Sequence, residues 1–414
     1  MEFGLIGERL GHSFSAVIHG MIGKYGYTLR EIPRGGLVDF IREGDFRGLN
    51  VTIPYKQEIM PLLDGIDTAA SDIGAVNTVV RRDGGLYGYN TDFDGMCGLA
   101  KHAGVDMQGK KVLILGTGGT SLTARAAARS LGCREVYRVS RSGRDGAVTY
   151  EQAYAEHGDA DIIINTTPCG MLPDIYSCPV RLEAFPGLSG VLDAIYNPLR
   201  STLVQQALSR GIPAEGGLYM LVCQAVAASE LFTGVHAESG VTERIYSALR
   251  AEKENIVLIG MPSCGKTTVG GALAERLGRK LIDTDNEITA DAGMTPSEIF
   301  ECEGEGGFRD RESEAVCRVS SETGCIIATG GGAVLRRENI EALRKNGRLY
   351  YLDRGLDALI PTPDRPTASS AEAIRKRYRE RHGIYESCAD SRVCFSCPDE
   401  AVKQICRAHG LDID

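Results

Sequence analysis

No stretch of about 18 uncharged apolar residues occurs in the chain, so no membrane-spanning helix is expected. The opening Met1-Glu2-Phe3-Gly4 has neither a basic leader nor a long apolar run, and no secretory signal is expected there. Positive charge is in the minority. Lys and Arg number 46 against 55 Asp and Glu, a net charge of −9 that argues against a general binder of nucleic acid or membrane surfaces. Anionic ligands must then be met by local Arg and Lys clusters. No internal repeat or low-complexity tract is present. The 13 cysteines are scattered and odd in number, and without a secretory signal they read as reduced, cytoplasmic thiols. Cys394-Phe395-Ser396-Cys397 has C-x-x-C spacing, but no second pair or His pair accompanies it, so ordinary packing is expected.

What is present is the make-up of an ordinary globular protein, with 43% hydrophobic residues. At 414 residues it is long for a single core, so two or three domains are expected. Short β-branched runs alternate with glycine-rich turns and helical stretches, which predicts an α/β fold with parallel sheets. Strands are expected at Phe3–Gly7, Gly48–Ile53, Lys111–Leu115, Glu135–Val139, Asp161–Asn165 and Gly190–Ala194. Helices are expected at Thr120–Leu131 and Gly217–Leu231. The more polar segment 236–254 reads as a linker, and a further α/β unit follows it.

Two glycine-rich loops of different design carry the chemistry. The first, Gly116-Thr117-Gly118-Gly119-Thr120-Ser121, follows a strand and opens a helix. There, backbone N–H groups and the helix N-terminus can meet a pyrophosphate. The next strand should end in Asp or Glu if the ribose hydroxyls of NAD are to be held. Instead Val139 is followed by Ser140-Arg141-Ser142-Gly143-Arg144. Two guanidiniums at that point suit a 2′-phosphate, so NADP is favoured.

The second loop, Gly260-Met261-Pro262-Ser263-Cys264-Gly265-Lys266-Thr267, matches the full G-x-x-x-x-G-K-[ST] phosphate loop. The backbone from Gly260 through Ser263, Cys264 and Gly265 to Thr268 would cradle the phosphates of ATP. Lys266 would reach the β- and γ-phosphates, and the Thr267 hydroxyl would ligate Mg²⁺. Redox chemistry in one half and phosphoryl transfer in the other is the expectation.

Residues 1 to about 235 resemble the shikimate dehydrogenase family. The resemblance rests on strings in family order: Gly11-His12-Ser13-Phe14-Ser15, Asn50-Val51-Thr52-Ile53-Pro54-Tyr55-Lys56, Gly74-Ala75-Val76-Asn77-Thr78, Asn90-Thr91-Asp92, the first glycine loop, Asn165-Thr166-Thr167-Pro168, Tyr196-Asn197-Pro198, and Gly216-Gly217 through Gln224. It implies that Lys56 and Asp92 are the catalytic pair. Lys56 would deliver a proton to the 3-oxygen of 3-dehydroshikimate, and Asp92 would hold Lys56 and accept from a substrate hydroxyl. It also implies that Ser13 and Ser15 bind the substrate carboxylate, that Thr52, Asn77, Tyr196 and Gln224 line the substrate site, and that Gly217 lies at the cofactor. His12 takes no proton-transfer role. The implied substrate domain is discontinuous, residues 1–93 with 217–235, around a Rossmann NADP-binding domain at 94–216.

Residues 255 to about 393 resemble the shikimate kinase family. Here the strings are Leu281-Ile282-Asp283-Thr284-Asp285, read as a strand ending in paired acids, Gly306-Gly307-Phe308-Arg309 with Glu312, Thr329-Gly330-Gly331-Gly332, Asp364-Arg365-Pro366, and Glu380-Arg381 with Tyr385. The resemblance implies that Asp283 serves Mg²⁺ and that Asp285 orients or deprotonates the attacking hydroxyl. It implies that Arg309 and Arg381 clamp the carboxylate, that Gly331 and Gly332 approach the ring, and that Arg365 comes from a lid. The lid departs from the family: Arg365-Pro366-Thr367-Ala368 stands where Arg-Pro-Leu-Leu is usual, and Pro361, Pro363 and Pro366 crowd a shortened segment. Poor closure, with lower turnover or ATP affinity, is the expected consequence. The fold class implied is an α/β substrate domain, a Rossmann domain, and a P-loop kinase α/β domain from 255 to 414. Shikimate would be the product of the first site and the substrate of the second. Two alternatives stay open: a kinase-like unit turned regulatory module, and quinate oxidation with NAD.

Overall fold

The computed structural model describes residues 2–11, 13–356, 359 and 370–411. It divides into two compact units, Met1–Tyr246 and Ser247–Asp414. The first unit holds two sheets and the second holds one.

The first sheet is built from β1 (Phe3–Gly7), β2 (Tyr27–Glu31), β3 (Gly48–Val51), β4 (Gly65–Ile66), β5 (Thr78–Arg82) and β6 (Gly85–Tyr89), in the order β2-β1-β3-β5-β6-β4. It is mixed: β1 runs parallel to β2 and β3, while β5 is antiparallel to β3 and β6. The second sheet contains β7 (Lys111–Leu115), β8 (Glu135–Val139), β9 (Ile162–Asn165), β10 (Gly190–Asp193) and β11 (Ala214–Glu215), in the order β11-β10-β9-β7-β8. All its pairings are parallel. Every residue of β7 is buried, as expected for a parallel strand covered by helices on both faces.

Helix Leu218–Thr233 brings the chain back from the second sheet to the first. It packs on helix Asp92–His102, helix Ser15–Ile22 and β5. Glycine makes the first of these crossings close. A Cβ on Gly95 would lie 2.8 Å from the Met220 carbonyl oxygen, and one on Gly98 would lie 2.7 Å from Cys223 Sγ.

The second unit holds β12 (Asn255–Ile259), β13 (Leu281–Asp283), β14 (Ile326–Ala328), β15 (Gly347–Asp353) and β16 (Ser391–Cys394), all parallel in the order β13-β14-β12-β15-β16. β12 is central and wholly buried, and the phosphate loop leaves its C-terminal end. That end of an open α/β sheet is where ligands bind.

The segment read as a linker contains helix Val241–Lys253, and the division between units falls inside it. Val241, Ile245 and Leu249 are buried, an i, i+4, i+8 stripe of one helical face. Among the described residues no helix is long and apolar enough to cross a membrane. All the cysteines are free thiols.

Candidate active sites

An open cleft of about 260 Å³ lies in the first unit. Lys56, Asp92, Ser13, Ser15, Thr52, Asn77, Tyr196, Gln224, Thr120 and Gly217 all line it. These residues come from widely separated stretches of the chain, so only the fold brings them together.

Lys56 lies in the short helix Tyr55–Glu58, which follows β3 by way of Thr52-Ile53-Pro54. Asp92 is the first residue of helix Asp92–His102, just after β6. Lys56 Nζ donates to Asp92 Oδ2 at 2.5 Å, with both side chains mostly buried. The N-terminal end of a helix favours an anion, which suits a carboxylate at that position. Among the described residues only Oδ2 of Asp92 is engaged, which leaves Oδ1 for a ligand hydroxyl.

The polar wall is held by a hydrogen-bonded network. Asn77 Oδ1 accepts from the Thr91 backbone N–H at 2.7 Å and from Thr78 Oγ1 at 3.0 Å, and Asn77 Nδ2 donates to Thr91 Oγ1 at 3.1 Å. Asn50 donates to Thr78 Oγ1 at 3.1 Å and accepts from the Tyr27 hydroxyl at 2.8 Å. The His19 ring stacks on Tyr27 at 3.9 Å, with Nδ1 on the Tyr25 hydroxyl at 2.7 Å. Burial pushes the His19 pKa down to about 3. Ser13 Oγ donates to Ser15 Oγ at 3.1 Å. Gln224 Nε2 donates to the Leu221 carbonyl at 2.9 Å. The Tyr196 ring packs on Phe14 with centroids 5.5 Å apart, and burial pushes its hydroxyl pKa up.

The first glycine loop faces this cleft. Gly118 is the N-cap of helix Gly119–Ser130, and a Cβ there would meet nothing within 4 Å. A Cβ on Gly119 would have only Lys56 Cδ near it, at 3.9 Å. Gly116, at φ 111°, sits against Thr166 Oγ1, so this turn requires glycine. The loop is thus an open backbone cradle at a helix N-terminus, which fits a pyrophosphate. Arg141 and Arg144 are exposed, and their guanidiniums make no hydrogen bond or ion pair among the described residues. Ser140 Oγ accepts from the Gly143 N–H at 3.1 Å and shapes that turn.

Elsewhere in the cleft wall, a Cβ on Gly217 would lie 2.2 Å from the Ala194 carbonyl oxygen. The turn carrying Ala194 is pinned by buried Asp193. Its carboxylate accepts from Asn165 Nδ2 and the Ile195 N–H, each at 3.0 Å, and from Ser201 Oγ at 2.6 Å. Burial nevertheless pushes its pKa up to about 7.

In the second unit, Lys266 begins helix Lys266–Leu277 and is buried. Its Nζ donates to the carbonyls of Gly260 and Met261, each at 2.9 Å, so the loop holds its own lysine in place. Ser263, Gly260 and Gly265 take φ of 64°, 148° and 98°, the turned backbone of an anion cradle. Cys264 is wholly buried, so its thiol is closed off from a bound phosphate. Thr267 Oγ1 donates to Asp283 Oδ2 at 2.9 Å, and Thr268 is exposed in the same first turn. This hydroxyl–carboxylate pair fits a hard cation such as Mg²⁺. No cluster of three or more His, Cys, Asp or Glu able to hold a metal exists among the described residues. Phosphate and water oxygens would therefore have to complete the shell.

The expected strand Leu281–Asp285 ends instead at Asp283. The Asp283 side chain caps the next helix by accepting from the Asp285 N–H at 3.0 Å, which puts Asp285 in the first turn of helix Thr284–Ala292. The glycine turn after β14 gathers the remaining residues. A Cβ on Gly330 would lie 2.7 Å from Asp285 Oδ1 and 2.6 Å from Glu312 Oε1, and one on Gly332 would overlap the Arg309 guanidinium. Arg381 Nη1 donates to the Gly331 carbonyl at 3.0 Å, and the Tyr385 hydroxyl donates to the same oxygen. Gly331 also abuts Pro262 of the phosphate loop. Arg309 Nη1 donates to Glu312 Oε2 at 2.5 Å. Burial pushes the Glu312 pKa up against the pull of Arg309.

The expected lid, with Arg365, Pro361, Pro363 and Pro366, lies outside the described residues, as does His12. Sequence reasoning missed Arg9, Leu10, Met220 and Leu221 in the cleft wall, and it had no role for Asn50 or Glu312. The available signal for Arg9 was its place just past the C-terminal end of a parallel strand.

Comparison with known proteins matches this division. Residues 5–79 match the family described as shikimate dehydrogenase substrate binding domain, and residues 262–408 match the family described as shikimate kinase. The shikimate dehydrogenase (NADP(+)) of Clostridium perfringens is 35% identical over 266 residues, covering 60% of this chain and 98% of that protein. The crystal structure of shikimate dehydrogenase 1 from Peptoclostridium difficile is 36% identical with a TM-score of 0.55, covering 61% of this chain and 99% of that one. A Thermus thermophilus shikimate 5-dehydrogenase solved with NADP(H) and shikimate is 29% identical with a TM-score of 0.54, covering 60% and 99%. The chain belongs to the shikimate dehydrogenase family through its first unit, and its second unit is a shikimate kinase domain.

Proposed function

We propose that this chain reduces 3-dehydroshikimate to shikimate with NADPH and then phosphorylates the 3-hydroxyl of shikimate with ATP. The observation that carries the reductase half is the cleft itself. An ammonium–carboxylate pair, a hydroxyl and amide wall, and the open glycine loop converge on one space. NADPH supplies the hydride when bound. Gly116, Gly118, Gly119 and Thr120 would hold its pyrophosphate, Gly217 would border the ring end, and Ser140, Arg141 and Arg144 would meet the 2′-phosphate. Lys56 gives a proton to the carbonyl oxygen as it gains charge, and Asp92 holds the ammonium in line. Ser13 and Ser15 bind the carboxylate, and Thr52, Asn77, Tyr196 and Gln224 position the ring.

In the second unit the phosphate loop and the glycine turn meet at Pro262 and Gly331, which supports donor and acceptor sites side by side. Mg²⁺, held by Thr267 and Asp283, supplies charge neutralisation of the phosphates when bound. Lys266 binds the phosphates. Asp285 orients the acceptor hydroxyl and takes its proton, and Arg309 and Arg381 hold the carboxylate. Arg365 completes this set in the proposal.

The domain bounds proposed are 1–93 with 217–235, 94–216, and 255–414, in a cytoplasmic protein acting on small molecules. The test is incubation of the full chain with 3-dehydroshikimate, NADPH and Mg-ATP, following absorbance loss and product mass. Shikimate 3-phosphate supports both halves. Shikimate accumulating unphosphorylated rejects the kinase half and leaves its unit as a ligand-binding module.

A further inference from the structure

Arg9 stands two residues past the C-terminal end of β1 and lines the cleft beside Leu10, Ser13 and Ser15. Its side chain is exposed, and among the described residues it makes no hydrogen bond or ion pair. Among the described residues, three charged side chains line the cleft: Arg9, Lys56 and Asp92. Lys56 and Asp92 compensate each other at 2.5 Å. Among the described residues Arg9 is therefore the uncompensated charge of the cleft, and it is positive.

The hydroxyls assigned to the carboxylate are neutral and partly committed. Ser13 Oγ donates to Ser15 Oγ at 3.1 Å and accepts from the Ser15 N–H at 3.3 Å. Neutral donors can replace some of the water lost by a carboxylate, but they supply no countercharge. A guanidinium does both, with a planar fork that matches two carboxylate oxygens.

We infer that Arg9 is a binding residue for the substrate carboxylate, forming a charged pair with it beside Ser13 and Ser15. This rests on the reading of the first unit as a reductase of a ring carboxylic acid. Arg9 belongs to the binding step and not to proton transfer, because Lys56 and Asp92 already form a closed pair without it. Its removal therefore weakens ground state and transition state alike, which raises KM and spares kcat.

The experiment is steady-state NADPH oxidation by the full chain with varied 3-dehydroshikimate, at low and high salt, for wild type, Arg9→Ala, Arg9→Gln and Arg9→Lys. Arg9→Ala and Arg9→Gln should raise the KM for 3-dehydroshikimate about tenfold, equivalent to about 1.4 kcal/mol. The KM for NADPH and kcat should hold. Arg9→Lys should recover part of the loss through its point charge. The wild-type KM should rise with salt and that of Arg9→Ala should stay flat, since salt screens an exposed pair. A wild-type KM in both neutral variants at both salt levels overturns the inference while leaving the reductase reading intact. A rise confined to the NADPH KM also overturns it. A wild type inert toward 3-dehydroshikimate overturns the reductase reading, and the inference with it.

Discussion

Lys56 Nζ and Asp92 Oδ2 stand 2.5 Å apart although 36 positions separate them in the chain. The pair joins a short helix after β3 to the first turn of a helix after β6. It places the Lys56 ammonium in the cleft wall with its orientation already set. Lys56→Met should lower kcat for 3-dehydroshikimate reduction by about 10²–10⁴-fold, the usual weight of a positioned general acid. The KM for NADPH should change little. An unchanged kcat in steady-state assays would remove Lys56 from the chemistry.

Gly217 tolerates no side chain, because the Ala194 carbonyl oxygen is 2.2 Å from where its Cβ would be. The neighbour is backbone held by the Asp193 network, so it cannot swing aside. Gly217→Ala should destabilise the first unit by about 1–3 kcal/mol, as overpacking does. Dehydrogenase kcat/KM should fall with it. Urea titration followed by loss of NADPH oxidation measures both effects.

Two buried groups of the first unit should pull its pH–stability profile in opposite directions. Asp193 has a pKa raised from 3.8 to about 7, so the folded state holds its proton more tightly than the unfolded chain. Its contribution is full below pH 3.8 and is lost as pH climbs to about 7. His19 is lowered from 6.5 to about 3, so the unfolded chain takes up the proton first. Its contribution is full above pH 6.5 and is lost as pH falls towards 3. Urea midpoints across that range should show Asp193→Asn flattening the loss on the alkaline side. His19→Gln should flatten the loss on the acid side. If each variant keeps the wild-type slope on its own side, the assigned directions are wrong.

Lys266 is held by the carbonyls of Gly260 and Met261, so its ammonium is already at the loop when a phosphate arrives. Lys266→Ala should reduce phosphorylation of added shikimate by about 10²–10³-fold, the scale of losing one electrostatic donor to a transition state. NADPH oxidation by the same variant should keep its wild-type rate. Coupled product analysis by mass reads both activities in one sample, and retained phosphorylation would count against the role.

Much of the layout was legible locally. Lys111–Leu115 reads as a strand from its short apolar run ahead of a glycine-rich turn, and the structure buries all five of its residues. Boundaries were less legible where a side chain bonds to nearby backbone. The strand ending at Asp283 was read two residues too long because acids after a strand give no sign that the first will cap a helix. The helix Val241–Lys253 was hidden inside a segment polar enough to pass for a linker, since its apolar stripe is one face only.

The order of short strings along the chain and the phosphate-loop pattern were enough to determine which two domain families the chain combines, because such strings and backbone cradles depend on local residue type. The sequence alone could not show that Arg9 lines the same cleft as the closed Lys56–Asp92 pair, that Gly217 is wedged under the Ala194 carbonyl, or that Glu312 and Asp285 crowd one glycine. Those relations join residues far apart in the chain. Tertiary packing decides them by fixing distances, excluding water from some groups and leaving others without a partner.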